Sequence, residues 1–164
     1  MFLMADKNRN EKKQGKVGLI AGNRRAIYDY SVIETVEAGL VLQGTEIKAI
    51  REGRVNLRDS FARSMGNELW LFGMHVAPYS HSSSSIDHDP TRPRKLLLHR
   101  KEINKLKISG QSKGLTMVPL GLYLKRGMAK VTLALAKGKR QYEKRRVIVQ
   151  RDIEREIRRE LKQR

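Results

Sequence analysis

The histidine and carboxylate side chains are the ones in this chain that could carry catalytic or metal chemistry. The chain has four histidines: His75, His81, His88 and His99. Residues 87–89, Asp-His-Asp, could offer metal ligands, but their spacing matches no standard zinc or facial-triad pattern. The candidate carboxylates that cluster in sequence are Glu34, Glu37, Glu46 and Glu52. Nothing in their spacing pairs them as a general acid and a general base.

Other catalytic signatures are missing as well. The sequence has no dinucleotide-binding glycine motif, P-loop or nucleophile elbow. It has no Cys, which excludes disulfides, thiolate zinc sites and a cysteine nucleophile. We therefore predict a protein without catalysis, cofactor, metal or small-molecule substrate.

Basic side chains are the more informative chemistry. The 164 residues include 35 Lys and Arg against 17 Asp and Glu, a formal net charge of +18. Such an excess of basic residues could serve solubility, but acidic residues improve solubility better than basic ones do. The excess therefore indicates a polyanionic partner. The charge is also uneven, with net values of +5 for residues 1–25, +6 for residues 26–136 and +7 for residues 137–164. The sequence thus predicts an ordinary mixed-charge domain between two basic arms.

The C-terminal arm repeats an apolar residue every four positions: Val149, Ile153, Ile157 and Leu161. Basic residues fill its other faces: Arg151, Arg155, Arg158, Arg159 and Lys162. One apolar residue per turn is too narrow a stripe to hold a helix in water alone. We therefore expect residues 141–164 to be a basic tail that frays in the free protein and becomes helical when docked. The alternative is an ordinary terminal helix packed on the domain.

The middle of the chain must supply the domain that positions these arms. Alternating apolar residues predict strands from Trp70 to Ala77 and in two segments joined by a hairpin turn at residues 125–127. A β-branched stretch from Tyr30 to Leu42 predicts a strand that bulges or coils sharply at Gly39. Short strands with glycines at their bends predict a small closed or nearly closed barrel. We expect Trp70 and Phe72 in its core.

Two helices interrupt these strands. One is predicted from Thr45 to Arg51, with Gly53 as its stop signal. A longer one is predicted to start near residues 89–93, where Asp89 or Thr91 could cap it. The sequence lacks the signatures of common RNA-reading modules, and its nine aromatic residues are few for a long stacking platform. Recognition of RNA would therefore rest on shape and backbone.

Six segments, in order, resemble the SsrA-binding protein (small protein B) family. They are NRRA (23–26), residues 37–61, HVAPY (75–79), residues 89–103, residues 118–140 and YEKR (142–145). The resemblance implies a mainly β fold, a six-stranded antiparallel OB-type β-barrel with flanking helices over residues 23–140. A flexible basic arm over residues 1–22 and the tail over residues 141–164 complete the predicted organisation.

The resemblance also implies a function. Members of the family bind the tRNA-like domain of tmRNA (SsrA RNA) and deliver it to stalled ribosomes for trans-translation, with the tail in the empty mRNA channel and decoding region. The implied partners are tmRNA and the ribosome, with no membrane. We expect a cytoplasmic protein, monomeric in the free state. The alternative is a general OB-fold protein that binds rRNA or associates with ribosomes without a dedicated tmRNA partner.

Two sets of site residues follow from the resemblance. The implied RNA-binding residues are Asn23, Arg24, Arg25, Glu37, Lys48, Arg51, Leu97, Lys130, Lys137, Lys139 and Arg140. The implied ribosome-binding residues are Tyr28, Glu143, Lys144, Arg145, Arg151, Ile153, Arg155 and Ile157. The chain departs from the family pattern at Tyr28, where His is common, at Glu143, where Asp is usual, and at Ile153, where an aromatic residue is frequent.

Overall fold

Nine strands and four helices make up the computed structural model, which describes residues 18–79, 88–112 and 114–162. The strands are β1 (Leu19–Gly22), β2 (Tyr30–Leu40), β3 (Val55–Asn56), β4 (Phe61–Met65), β5 (Glu68–Phe72), β6 (His75–Val76), β7 (Arg94–Leu97), β8 (Leu115–Lys125) and β9 (Met128–Gly138). The helices are α1 (Arg24–Asp29), α2 (Gly44–Arg51), α3 (Arg100–Gly110) and α4 (Gln141–Lys162).

Six of the strands close into an antiparallel ring. The order is β8, β4, β5, β7, β2 and β9, and β9 pairs back to β8. Strand β1 adds to β8 outside the ring, while β3 and β6 form a separate ribbon. The mainly β, six-stranded antiparallel architecture of OB type is therefore confirmed.

The β8–β9 hairpin is the longest pairing of the ring. Arg126 and Gly127 form its two-residue turn with φ values of 51° and 78°, as a type I′ turn requires. The predicted hairpin is thus confirmed. The register of β8 against β9 shifts between Pro119 and Gly121. Strand β8 pairs with β4 and β1 as well as with β9.

The core fills the ring from strands that alternate inward and outward. Leu69 and Leu71 of β5 are fully buried, so the intervening Trp70 and the following Phe72 point outward and are half-buried. The expectation that Trp70 and Phe72 lie in the core is therefore wrong. Gly73 has a φ of +72°, and beyond it Met74 and Val76 are buried. On the outer face Phe72 stacks on Phe61, with ring centroids 5.6 Å apart.

The irregularity of β2 lies elsewhere than predicted. Its register against β9 shifts between Val32 and Glu34, whereas Gly39 keeps regular pairing. Gly39 is needed for a close approach instead, because a Cβ there would lie 3.3 Å from the Cβ of Leu97. The bulge predicted at Gly39 is thus corrected.

Helix α2 is confirmed within one residue of its predicted start, but α3 begins later than predicted. Residues 94–97 form strand β7, and α3 starts at Arg100 with His99 as its N-cap. The Asp89 carboxylate accepts hydrogen bonds from the backbone and hydroxyl of Thr91, so it closes a turn rather than capping a helix. In β7, Leu96 pairs with both β2 and β5 and Leu97 pairs with β2, so these apolar residues do not form a helical face.

A buried ion network joins α2 to β7 and the segment before it. Glu46 and Arg94 are both 0% exposed, and their side chains approach to 2.8 Å. Glu46 Oε1 also accepts a 2.9 Å hydrogen bond from Arg92 Nε, and the Arg94 guanidinium donates to the carbonyls of Met74 and Pro90. Burial raises the pKa of Glu46, but the hydrogen bonds from Arg92 and the Gln43 amide, with the charge of Arg94, outweigh it and leave that pKa lowered.

Replacing Glu46 by Gln is expected to lower the free energy of unfolding by about 3 kcal/mol, because it leaves the Arg94 charge buried without its counter-ion. Since the folded pKa of Glu46 lies below its unfolded value, its contribution is fully present above the usual glutamate pKa of about 4.3 and is lost as the pH falls through the folded value. Chemical denaturation at pH 7 and at pH 3 measures both effects. Glu34→Gln, which breaks the surface pair with Lys105, is the control and should cost less than about 1 kcal/mol. Equal losses in the two variants would contradict the buried role.

The predicted N-terminal arm has a different boundary in the structure, whereas the predicted tail starts where α4 starts. Strand β1 shows that residues 19–22 belong to the sheet, so the predicted arm over residues 1–22 overlaps the domain; residues 1–17 lie outside the described residues. Residues 141–162 form α4, and fraying of this segment in the free protein stays a prediction. Over the described ranges, no helix is both long and apolar enough to cross a membrane.

Candidate nucleic-acid interface

A first surface, which we call the β9 patch, lies on the outer face of β2, β9 and β8. It comprises Glu37, Leu97, Tyr123, Lys125 and Lys130. Strand β9 lies between the other two, with Tyr123 of β8 directly opposite Lys130 and Glu37 of β2 opposite Thr132. Gly39 pairs with both Leu97 and Lys130, which brings the 52% exposed Leu97 side chain to the same patch.

The Glu37 carboxylate is held from the β8 and β9 sides. Its Oε2 accepts a hydrogen bond from the Tyr123 hydroxyl and lies 3.3 Å from Lys125 Nζ, and its Oε1 lies 3.6 Å from Lys130 Nζ. The Tyr123 hydrogen bond, with Lys125 and Lys130, lowers the pKa of Glu37 against the opposing effect of desolvation. Desolvation and the hydrogen bond to Glu37 raise the pKa of Tyr123 to about 12. The patch therefore presents an ionised carboxylate, Glu37, flanked by the ammonium groups of Lys125 and Lys130.

A second surface, the α1 junction, comprises Arg24, Arg25, Lys137, Lys139 and Arg140, where α1 meets the end of β9. The Lys139 backbone N–H donates to the carbonyl of Asp29, and its Nζ donates to the carbonyl of Ile27 at 3.0 Å. Within the described residues, no carboxylate lies at ion-pair distance from Arg24, Lys137 or Arg140, and all three are exposed. These unpaired cations can approach phosphates without first breaking an ion pair.

Asn23 differs from its neighbours because its side chain is 4% exposed. Its Oδ1 caps α1 by accepting from the Ala26 N–H, and its Nδ2 donates to the carbonyls of Leu57 and Pro119 at 2.9 and 3.0 Å. These bonds fix the start of α1 against the ring, and with it the direction of Arg24 and Arg25.

The two remaining predicted RNA-binding residues, Lys48 and Arg51, lie on α2. Lys48 Nζ lies 5.4 Å from the centroid of the Tyr79 ring, a cation–π contact, and both cations are exposed. In the described part of the chain, no hydrogen bond or ion pair joins them to the β9 patch or the α1 junction. The structure thus distributes the predicted RNA-binding residues over three surfaces.

The first turn of α4 is fastened to α1. Lys144 Nζ lies 2.7 Å from Asp29 Oδ1 and 6.0 Å from the centre of the Tyr28 ring. The Asp29 hydrogen bond raises the pKa of Lys144 and lowers that of Asp29. Tyr28 and Lys144, both predicted to face the ribosome, are therefore brought together.

Glu143 lies at the third position of α4, and its carboxylate accepts a 2.7 Å hydrogen bond from the Arg140 N–H. This is half of a capping box, in which Glu is the favoured residue at that position. The departure from the family's Asp therefore still supplies an acceptor for the start of the helix.

Beyond its first turn, α4 carries an uncovered apolar stripe. Val149, Ile153 and Ile157 are 58%, 51% and 51% exposed. Arg145 and Arg155 are also exposed, and Arg155 lies 3.5 Å from Asp152; the side chain of Arg151 is outside the described part. The alternative of a terminal helix packed on the domain through this stripe is wrong.

Three residues of these surfaces are not among the predicted ones: Tyr123, Lys125 and Asp29. The two-residue turn at Arg126 and Gly127 pairs Tyr123 with Lys130, whereas a three-residue turn over 125–127 would pair residue 122 with Lys130, so the exact turn length was needed to indicate the first of them. Nothing local could have placed Asp29 beside Lys144, 115 positions away. Among the described residues, no group of three or more His, Asp or Glu could hold a metal ion.

A closed ring of antiparallel strands bearing cationic patches, with a basic helix attached at one end, defines a small OB-type protein of the nucleic-acid-binding class. The chain belongs to the SmpB protein family, whose model matches residues 20–163. It is 53% identical over 152 residues to the SsrA-binding protein of Chloroflexus aggregans, covering 93% of this chain and 96% of that one. It is 54% identical over 151 residues to the SsrA-binding protein of Enterococcus faecalis, covering 92% and 96%.

A solved structure is similar as well. It is described as "tmRNA-SmpB: a journey to the center of the bacterial ribosome", and its matching chain is 51% identical, with a TM-score of 0.63. The match covers 76% of this chain and 87% of the other.

Proposed function

We propose that this protein binds the tRNA-like domain of tmRNA and delivers it to stalled ribosomes for trans-translation. Membership of the SmpB family over residues 20–163 is the observation that carries the proposal. The relatives are SsrA-binding proteins, and the similar solved chain is described together with tmRNA and the bacterial ribosome. The role requires binding and positioning only, because peptidyl transfer belongs to the ribosome. It also places the protein in the cytoplasm.

The two parts of the molecule take different tasks in this proposal. The ring binds tmRNA through the β9 patch, the α1 junction and the two cations of α2, with Asn23 acting through the position of α1. The tail, residues 141–164, occupies the empty mRNA channel and decoding region. The uncovered stripe on α4 and the unpaired cations of the α1 junction support this division, since each surface is available to a partner.

The RNA that co-purifies with the protein tests the proposal. After a pull-down washed at high salt, sequencing should recover one abundant small RNA, tmRNA, because rising salt weakens simple phosphate attraction while a dedicated interface survives. The Lys139→Glu/Arg140→Glu variant serves as the matched control and should recover less of it. A mixture of rRNA fragments would instead favour a general ribosome-associated protein, and would contradict the proposal.

A further inference from the structure

The β9 patch contains a hydrogen bond that its charges do not require. A carboxylate on a surface that meets RNA is opposed by the phosphates, and two lysines already compensate Glu37. The Tyr123 hydroxyl nevertheless donates a hydrogen bond to Glu37 Oε2. The Glu37 side chain is 39% exposed. Desolvating a hydroxyl and fixing a surface carboxylate both cost free energy, which indicates that the orientation of the carboxylate matters.

The contacts divide the two carboxylate oxygens unequally. Oε2 takes the Tyr123 hydrogen bond and the shorter approach of Lys125, at 3.3 Å. Oε1 has only long contacts, 3.5 Å to Lys125 Nζ and 3.6 Å to Lys130 Nζ. A carboxylate has about four acceptor positions, so Oε1 keeps acceptor capacity on a side chain that is partly exposed. A base amino group or a ribose 2′-hydroxyl is a donor of the matching kind.

We propose that Tyr123 is a positioning residue for RNA recognition: its hydroxyl fixes Glu37 Oε2 so that Oε1 accepts a hydrogen bond from an amino or 2′-hydroxyl group of the bound RNA. The inference rests on the proposed function, because the RNA is the tRNA-like domain of tmRNA. The neighbouring lysines supply phosphate attraction, whereas the Tyr123–Glu37 pair supplies a directional acceptor. Other charged groups also line the groove beside Glu37, namely Glu34 of β2 and Lys101, Glu102 and Lys105 of α3.

The variant Tyr123→Phe removes only the hydroxyl. Its affinity for a transcript of the tRNA-like domain should fall about tenfold, the effect of removing one well-placed hydrogen bond to a charged group. The slope of log affinity against log salt should stay unchanged, since every phosphate-binding cation remains, whereas Lys130→Ala should lower that slope by about one. Tyr30→Phe, a matched change on β2, should bind as the wild type does.

Two readouts separate positioning from a structural effect. In an NMR titration of the Glu37 carboxyl carbon, Tyr123→Phe should raise the pKa of Glu37 toward its ordinary value while the melting temperature stays close to that of the Tyr30→Phe control. The double variant Glu37→Gln/Tyr123→Phe should bind no more weakly than Glu37→Gln alone, because Tyr123 acts through that carboxylate.

The failures of the two proposals are distinguishable. Wild-type protein that binds the transcript no better than an unrelated RNA of equal length would overturn the proposed function, and the inference with it. Wild-type protein that binds it selectively, with Tyr123→Phe indistinguishable from wild type or additive with Glu37→Gln, would overturn the inference alone.

Discussion

Removal of residues 143–164 is expected to abolish ribosome rescue while leaving affinity for the tRNA-like domain nearly intact. The reason is the separation of the two parts: α4 is fastened to α1 through Lys144, and its apolar stripe contributes nothing to the core. The ring, the β9 patch and the unpaired cations of the α1 junction remain. The measurements are peptide tagging on ribosomes stalled without a codon, and RNA affinity by a binding titration.

The unfolding of the truncated protein is the control for this deletion. Its melting temperature should lie within a few degrees of the full chain, since the buried core residues all precede α4 in the chain. Loss of tight RNA binding in a truncated protein that still melts cooperatively would contradict the division of labour. Retention of tagging would show that the tail is not the ribosome-facing part.

Reversal of two charges at the α1 junction is expected to produce the second large effect. Lys139→Glu/Arg140→Glu should lower the slope of log affinity against log salt by about two, because in the proposed interface each of the two cations neutralises one phosphate. This corresponds to roughly a 50-fold loss of affinity near 0.1 M salt, shrinking as salt approaches 1 M. Titrations at several salt concentrations measure both quantities.

A charge-matched variant separates local contacts from net charge. Arg63→Glu/Arg100→Glu changes the formal charge by the same amount at exposed positions on β4 and α3. It should weaken binding far less, because the attraction of exposed charges is screened beyond about 10 Å at 0.1 M salt. Equal losses in the two double variants would remove Lys139 and Arg140 from the interface.

Much of the fold could be predicted because strand alternation and turn residues are local signals. The β8–β9 hairpin follows from its alternating leucines and the Arg126–Gly127 turn, and α2 from its spacing and stop signal. Alternation does not reveal which face is inside, and so the pattern wrongly predicts Trp70 and Phe72 in the core. The positive φ of Gly73 then shifts the buried positions from odd-numbered to even-numbered residues. A strictly alternating sequence pattern does not reveal such a shift, because it comes from the backbone conformation.

The candidate site was predictable in its residue types and less so in its geometry. The predicted start of α3 is too early because Asp89 and Pro93 are good helix-start residues, whereas residues 94–97 are held as a strand by β2 and β5. The buried position of Arg94 depends on Glu46, 48 positions earlier in the chain. Likewise, Tyr123 acquires its partner only when β2 and β8 meet on either side of β9. Contacts between distant segments decide each of these cases.

Helix α4 contacts α1 at its first turn, so a small rotation there produces a large displacement at the other end of the helix. Its 22 residues span about 33 Å, so a rotation of roughly 10° at the Asp29–Lys144 pivot moves the far end by about 6 Å, close to two base steps of about 3.4 Å each. Small changes of angle at the Asp29–Lys144 contact are thereby amplified at the distal end of α4. The ion pair of Lys144 with Asp29 and its contact with the Tyr28 ring, which hold the first turn, therefore bear on where the distal end lies.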